Sequence, residues 1–483
     1  MRYADSIQSK WWLLLAGSFA LAAVDSHTIS KRETDDNNSS GQQRLRGRIS
    51  KVHLVQSNHL DVGFTGSITT VLNQYFNTYI PGAINTTEAL RQRGGPEQLV
   101  FTTHAWILSL FLDCPAGRGL DCPDSPSVAA VEAALRAGSL ALHAFPFNSE
   151  LDMYDASLVE AGVQLAGALN HKYGRPAPTV LSQRDVPGMT QALVPVLSKL
   201  GVEAISIGCN GAAQPPGVPP IFRWRGTAGE HENTSVIALV HPGGYAELNQ
   251  DGTCAPDCNH AAEYYTVGGS DEALVMAWNG DNQGPPSLAD VLLTFNKTQQ
   301  LFPNAVVVAS TMDAFVRAVQ PHAASLPVVD GEIADNWIYG VGSDPYKVAA
   351  MRAAARSRSK YLSTQSQTTE EAMQMLNFSR QLLKGGEHTW GTDTQYGNTT
   401  LTNDVWSNEA LGLARLNRSS PFPVIEDMWR EQRKWAVDYP LSALHGHPLH
   451  AILQQELAQL RPTTIDTSGY TRLSSEEATS KVL

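Results

Sequence analysis

Short apolar runs alternate with amphipathic stretches along the first two thirds of the chain. Eight runs rich in β-branched residues predict buried strands at residues 52–56, 99–103, 140–144, 179–182, 204–208, 236–240, 274–278 and 305–309. Between them, apolar residues at three- and four-residue spacing predict helices at 128–137, 157–172, 190–200, 288–301 and 312–319. This alternation within residues 49–343 predicts an α/β fold with a parallel seven- or eight-stranded β/α barrel.

An open, doubly wound sheet is the alternative architecture for this region. No G-x-G-x-x-G sequence follows the first predicted strand, so a dinucleotide-binding version has no support. After residue 343 the strand-like runs stop and helical periodicity continues. Helices predicted at 346–362, 369–384, 404–416, 425–437 and 449–460 form an α-helical bundle over residues 344–460, followed by a polar tail at 461–483.

The composition is that of a folded, acidic protein. Of the 483 residues, 42% are hydrophobic and 17% are charged, which excludes wholesale disorder. The 47 acidic residues outnumber the 35 Lys and Arg residues, and the formal net charge is −12. Because no run of Lys or Arg forms a basic patch, the sequence predicts no nucleic-acid partner.

The amino terminus has the pattern of a secretory signal. Basic residues precede an apolar run at 11–24, which suits a signal-peptide core and is shorter than the roughly 20 residues of a membrane span. We predict a signal peptide at 1–26 and a disordered leader at 27–48, with an uncleaved signal anchor as the alternative. No other segment is long and apolar enough to span a bilayer, so we expect a secreted or extracellular chain.

Two further patterns agree with export. The N-x-S/T glycosylation pattern occurs at Asn37, Asn38, Asn85, Asn233, Asn296, Asn377, Asn398 and Asn417. Five cysteines are too few for a disulfide scaffold, but two pairs are close enough in sequence to form local disulfides: Cys114 with Cys122, and Cys254 with Cys258. The sequence therefore predicts a glycoprotein of the secretory pathway.

Polar residues follow several of the predicted strands. His59 and Asp61 come after the first strand, His143 after the third, Asp185 after the fourth and Asp281 after the seventh. Because functional side chains of a parallel barrel gather where its strands end, we expect these residues on one rim. His59 and Asp61 lie two residues apart on an extended segment, so both side chains can point to the same side. Their ligand atoms suit Zn²⁺.

Four motifs resemble glycoside hydrolase family 38, the α-mannosidases, in their order and spacing. They are SNHLDVGF at 57–64, QRDVPG at 183–188, WIYGVGSDP at 337–345 and GEHTWGT at 386–392. The first resembles the family's first metal motif, with Phe64 where the aromatic residue is usually Trp. The second is similar to the segment that holds the nucleophilic Asp. The third resembles the passage from barrel to bundle, and the fourth resembles the loop that supplies the last histidine ligand. The resemblance covers residues 50–455.

The resemblance implies one Zn²⁺ per chain, held by His59, Asp61, Asp185 and His388, and a carbohydrate as substrate. It also implies a retaining mechanism, in which Asp185 attacks the anomeric carbon and forms a covalent glycosyl-enzyme. A second carboxyl group would protonate the leaving oxygen and then activate water. The expected activity is therefore that of a metal-dependent glycoside hydrolase.

The chain departs from the family at the position of this second carboxyl group. The family's acid is the second Asp of a Gly-Asp-Asp segment, whereas residues 280–282 read Gly-Asp-Asn. Because the amide of Asn282 does not titrate in the working range, we predict Asp281 as the acid, with Glu150 as the alternative.

Two other functions remain open at this point. A zinc-dependent carbohydrate deacetylase on a similar barrel would use metal-activated water and would need no nucleophilic Asp185. A non-catalytic carbohydrate-binding relative would retain the metal ligands and lack the acid, which is consistent with Asn282.

Overall fold

All eight predicted strands form in the computed structural model. The structure describes residues 46–211, 213–226, 234–241, 244, 264–333, 343–391, 407–417, 421–474 and 477. Contacts group residues Ile49–Leu483 into one unit. Its strands are β1 Lys51–Asn58, β2 Phe101–Thr103, β3 Leu140–Leu142, β4 Val180–Asp185, β5 Ala204–Cys209, β6 Ile221–Arg225, β7 Ser235–His241, β8 Tyr265–Thr266, β9 Glu272–Asn279, β10 Val306–Ala309 and β11 Val328–Val329.

The strands form two largely parallel sheets. The first has the order β3-β2-β1-β9-β8, and β10 also pairs with the first half of β1. The second has the order β11-β6-β7-β5-β4. A hydrogen bond of 2.9 Å from the Ala144 amide to the Val180 carbonyl links the end of β3 to the start of β4. The prediction of parallel sheets is thus confirmed, whereas closure into one barrel stays a prediction.

Helices connect the strands and continue after them. In the strand region they are α1 Ile68–Gln74, α2 Ile80–Arg93, α3 Ala105–Leu112, α4 Ser125–Ala137, α5 Ala156–Lys172, α6 Leu193–Lys199, α7 Leu288–Leu301 and α8 Met312–Val319. The last two have the predicted bounds. The start of α7 is fixed by a capping box, in which Ser287 and Asp290 each bond the other's backbone amide. The first three were not predicted.

The helical region follows, with α9 Pro345–Thr364, α10 Thr369–Leu382, α11 Asn408–Leu416, α12 Pro421–Arg433, α13 Tyr439–Ala443 and α14 Pro448–Gln459. It packs directly on the strand region through two fully buried tryptophans. The rings of Trp106, on α3, and Trp435 lie 5.8 Å apart at a steep angle. The Trp106 Nε1–H also donates to the Arg380 carbonyl at 2.8 Å. This contact holds α10 against the end of the strand region that carries the candidate site.

One strand of the second sheet was not predicted. Residues Ile221–Arg225 form β6, antiparallel to β7. Phe222 and Trp224 are fully buried, whereas Arg223 and Arg225 are only half-buried. This alternation is that of a strand with one covered face, and its arginines concealed the pattern.

The structure describes some of the predicted features, whereas others lie outside the described residues. Cys114 and Cys122 form the predicted disulfide, and Cys209 is buried as a free thiol. In the described part of the chain, no helix has the length and apolar character needed to cross a membrane. Outside the described residues lie the signal peptide, nearly all of the leader, segment 334–342, and the residues Asn37, Asn38, Asn233, Asn398, Cys254 and Cys258.

Candidate metal centre

Four side chains converge from three separate parts of the chain. His59 and Asp61 follow β1, Asp185 ends β4, and His388 lies just after α10. One ligand atom from each residue lies within 4.8 Å of the others, and all four residues are buried. We call these residues the four-residue cluster. The structure thus brings together the four residues that the family resemblance implied as metal ligands.

The shortest contacts in the cluster centre on one carboxylate. Oδ1 of Asp61 is 2.9 Å from Nε2 of His59 and 3.0 Å from Nε2 of His388. Oδ2 of Asp185 is 3.3 Å from the same nitrogen of His388. Two carboxylates and two imidazoles therefore lie close together, and this donor set suits a divalent transition-metal ion such as zinc.

Hydrogen bonds and opposite charges within the cluster stabilise the charged forms of His388 and Asp61. Burial disfavours a charged His388, but its hydrogen bonds to Asp185, Asp61 and Glu387 outweigh this and hold its pKa well above the usual range. Burial likewise opposes a charged Asp61, yet the neighbouring charge of His59 and hydrogen bonds from both histidines lower the pKa of Asp61. A bound cation would replace these protons.

One buried atom supports a fit to a cation. Oδ2 of Asp61 is inaccessible to solvent and has no hydrogen-bond partner among the described residues. An unpaired buried carboxylate oxygen is costly, and coordination to a metal ion would satisfy it. The chemistry of the four side chains and this oxygen together fit a divalent cation.

The backbone is held in a rare conformation at three places around the cluster. In the described part of the chain, the non-glycine residues with positive φ are Phe64 at 62°, Asp185 at 79° and Asn282 at 49°. Each costs conformational free energy, and such residues tend to occur at functional sites. All three lie in or beside the motifs identified in the sequence.

Asn282 has a structural role in the segment that carries Asp61. Its Oδ1 accepts from the Asp61 backbone amide at 3.1 Å. Its Nδ2 donates to the Gly63 carbonyl at 3.1 Å and to the Thr65 hydroxyl at 3.0 Å. An ionised aspartate could not make the bond to the Gly63 carbonyl, because a carboxylate has no donor and a carbonyl can only accept. At the position where the resembled family has its acid, this chain therefore has an anchor for the loop that carries Asp61.

Asp281 is the more exposed of the two candidate acids. It is half-buried, and its Oδ1 has no hydrogen-bond partner among the described residues. Burial, followed by the negative charges of Asp61 and Asp185, raises the pKa of Asp281 to about 6. Glu150, by contrast, is fully buried, and its amide donates to the carbonyl of Gly386 at 2.9 Å.

Two other groups of polar side chains lie outside the cluster. The rings of His104 and His143 lie 4.9 Å apart, and burial is the main cause that lowers the pKa of each histidine. The guanidinium of Arg184 lies 4.5 Å from the ring of Trp278, with Nη2 2.9 Å from the Ser206 hydroxyl. These contacts place the three side chains in the packed interior of the sheets.

Asn148 was not predicted, although it follows the third predicted strand. Its side-chain nitrogen is 3.1 Å from the Leu60 carbonyl and 3.2 Å from Nδ1 of His59. Its side-chain oxygen accepts from the Arg184 amide, and its backbone carbonyl accepts from the His388 amide. This one residue contacts all three segments of the cluster. Its place among polar residues at strand ends was the available signal.

Glu387 was also missed, although it precedes His388 in the fourth motif. It is fully buried, and its Oε1 is 3.1 Å from Nδ1 of His388. A carboxylate on the outer nitrogen of a ligating histidine fixes the ring and favours binding through the other nitrogen. In His388 that other nitrogen, Nε2, is the one that faces the cluster.

Comparisons with known proteins found solved structures with a similar fold and one family model that matches part of the chain. A family model described as a domain of unknown function, DUF5054, matches residues 341–482. No curated protein matches the chain. Among solved structures, the chain is similar to an α-mannosidase from Enterococcus faecalis V583, with a TM-score of 0.52 and 15% identity. That match covers 88% of this chain and 44% of the mannosidase.

Two other solved structures are similar at lower scores. A protein in glycosyl hydrolase family 38 from Enterococcus faecalis has a TM-score of 0.47 and 14% identity, over 88% of this chain and 41% of that one. A GH57-type branching enzyme from Pyrococcus horikoshii has a TM-score of 0.48 and 10% identity, over 86% and 92%. This chain thus shares its fold with the V583 α-mannosidase and spans less than half of that protein's length.

Proposed function

We propose that the chain is a zinc-dependent retaining glycoside hydrolase of α-mannosidase type, acting on a carbohydrate in the secretory pathway or outside the cell. The observation that supports this most directly is the buried four-residue cluster on a fold similar to that of an α-mannosidase. Three of the motifs supply the four residues of the cluster, and their order along the chain supports the same proposal.

In this proposal Asp185 is the nucleophile, and one of its oxygens attacks the anomeric carbon while the glycosidic bond breaks. Oδ1 of Asp185 is held by Nδ2 of Asn210 at 2.5 Å, which fixes the orientation of the carboxylate. Asp281 gives its proton to the leaving oxygen and then removes a proton from the water that releases the sugar. A bound zinc ion would hold sugar hydroxyls and supply positive charge beside the reacting centre.

Metal content tests the proposal first. We expect about one zinc per native full-length chain, and loss of that zinc in both Asp61→Ala and His388→Ala, because each removes a ligand. Asp313→Ala and His447→Ala are the matched controls. The carboxylate of Asp313 binds the amides of Thr179 and Val180, and His447 caps α14, so both variants should retain zinc. A folded native chain without metal would contradict the proposal.

A trapping experiment then separates the candidate reactions. A fluorinated α-mannoside should form a covalent adduct that mass spectrometry locates on Asp185, and Asp185→Ala should form none. A carbohydrate deacetylase would bind zinc and give no adduct. A non-catalytic binding protein would bind the sugar and turn over no aryl glycoside.

A further inference from the structure

The helical region holds both backbone groups of the residue that follows Asp61. The amide of Val62 donates to Oε1 of Glu387 at 3.3 Å. The carbonyl of Val62 accepts from Nε2 of Gln432, on α12, at 3.2 Å. The loop that carries His59 and Asp61 is therefore held by side chains more than 300 residues away in sequence.

A lysine joins these two side chains to each other. Nζ of Lys384 lies 2.8 Å from Oε2 of Glu387 and donates to Oε1 of Gln432 at 2.8 Å. Val62, Glu387, Lys384 and Gln432 thus form a closed circuit of three hydrogen bonds and one ion pair, which we call the Val62 ring. Lys384 and Glu387 are 0% exposed and Gln432 is 2% exposed. Water therefore does not compete with these contacts.

The Val62 ring touches the cluster from two sides. On one side, Val62 is bonded in sequence to Asp61. On the other, Oε1 of Glu387 lies 3.1 Å from Nδ1 of His388 and also accepts from the Thr389 hydroxyl at 2.8 Å. The same carboxylate oxygen therefore contacts both the loop that carries Asp61 and the ring of His388. Asp61 belongs to the strand region and His388 to the helical region.

The conformation of Gly63 gives a separate sign of this close fit. Its φ is +128°, which side chains rarely allow. A Cβ at this position would lie 2.8 Å from Nε2 of Gln432 and 3.3 Å from Cγ2 of Thr389. The glycine of the HLDVG sequence thus leaves the space that the amide of Gln432 occupies.

We propose that the Val62 ring is a positioning device, through which the helical region sets the distance between Asp61 and His388 and thereby the metal affinity of the cluster. The inference rests on the proposed metal site and adds residues that touch neither metal nor sugar. Losing an outer contact of a metal ligand typically lowers metal affinity about 10- to 100-fold. We expect a loss in that range when the ring is opened.

Gln432→Met opens the ring with the least disturbance. It removes both amide bonds, preserves much of the side-chain volume, and leaves the buried Lys384–Glu387 ion pair intact. Glu387→Gln is the conservative partner, since it retains an acceptor for Val62 and removes the charge. The control is Arg358→Met, because buried Arg358 binds the Ser379 and Ser157 hydroxyls away from the cluster.

The measurements are zinc affinity by chelator competition and the visible absorption of the Co²⁺-loaded full chain. Gln432→Met should lower zinc affinity about 10- to 100-fold and change the Co²⁺ spectrum, which reports ligand geometry. Arg358→Met should lower thermal stability and change neither property. Zinc affinity of Gln432→Met equal to that of the native chain would overturn the inference and leave the proposed function standing.

Hydrogen exchange of the metal-free chain tests the ring even when zinc binding fails. Gln432→Met should speed exchange of the amides at 60–66 and 386–389, because the ring holds both segments. Arg358→Met should leave these segments at the native rate. If the native chain binds no zinc, the proposed function fails, and unchanged exchange in Gln432→Met would then reject the ring as well.

Discussion

The strand region, residues 49–333, and the helical region, residues 343–460, contribute differently to the candidate site. The strand region supplies His59, Asp61 and Asp185 of the cluster, and also Asp281. The strained residues Phe64, Asp185 and Asn282 also belong to it. The helical region supplies one member of the cluster, His388, together with three of the four residues of the Val62 ring.

Two carboxylates of the strand region and two side chains of the Val62 ring differ in their hydrogen bonding. Oδ2 of Asp61 and Oδ1 of Asp281 are buried without a hydrogen-bond partner in the described residues, which prepares them for a ligand. Lys384 and Gln432 instead bind within the ring. This contrast is the one expected if the proposed chemistry lies at the strand ends and the helices position it. The DUF5054 match, at residues 341–482, covers His388 and the three helical residues of the Val62 ring.

The sharpest test of this division is Asp281, on the strand side. Asp281→Ala should lower turnover about 100- to 10,000-fold for aryl mannosides with poor leaving groups, because these need a proton from the acid. Substrates with good leaving groups should lose much less. Asp290→Ala is the control on the following helix, where Asp290 only caps α7, so its kinetics should stay near native. Equal losses for all leaving groups would assign Asp281 to sugar binding.

The pH profile sharpens the same assignment. The acid must hold its proton, and the pKa of Asp281 is raised to about 6, so the protonated fraction falls as the pH rises through this value. Turnover should therefore fall about tenfold per pH unit above 6. Because a cation in the cluster favours the carboxylate, this limb should begin at or below pH 6 in the metal-loaded chain. A profile unchanged in Asp281→Ala would point to another acid, with Glu150 as the first candidate.

The strand ends were predictable as the place of the site because parallel strands end at the same edge of a sheet. That rule and the motifs located His59, Asp61, Asp185 and His388, which the structure brings together. Their function as metal ligands and the identity of the acid stay predictions. Helices 288–301 and 312–319 could be predicted from the sequence because each has an N-capping residue and regular apolar spacing.

The surrounding contacts were not predictable, for a physical reason. Gln432 lies on a helix whose apolar spacing says nothing about which polar side chain will meet the loop of Asp61. Asn148 and Glu387 act through hydrogen bonds between segments that are distant in sequence. Such bonds depend on tertiary distances rather than on local sequence pattern. The structural role of Asn282 was missed for a related reason. Its position in the sequence suggested a catalytic role, whereas its side-chain amide binds the loop that follows Asp61.

The smallest expected effect concerns Lys347, in the helical region, and involves stability rather than turnover. It is buried above the ring of Trp390, with Nζ 3.7 Å from the ring centre. Burial lowers the pKa of Lys347 to about 7, from 10.5 in an exposed lysine. Between these values the unfolded chain holds a proton that the folded chain has released. Lys347 therefore makes the free energy of unfolding rise with pH across this window.

Lys347→Met should flatten that rise and increase the free energy of unfolding at pH 7 by about 1–4 kcal/mol, because a buried charge is replaced by an apolar side chain of similar length. Urea unfolding at pH 7.0, 8.0 and 9.0 measures both effects. Lys360→Met is the control, since Lys360 is exposed on the same helix and should leave the pH dependence native. A destabilised Lys347→Met with unchanged zinc affinity would show that the amine stabilises the helical region through Trp390. A destabilised variant that also loses zinc would extend the positioning role of the helices from the Val62 ring to Lys347.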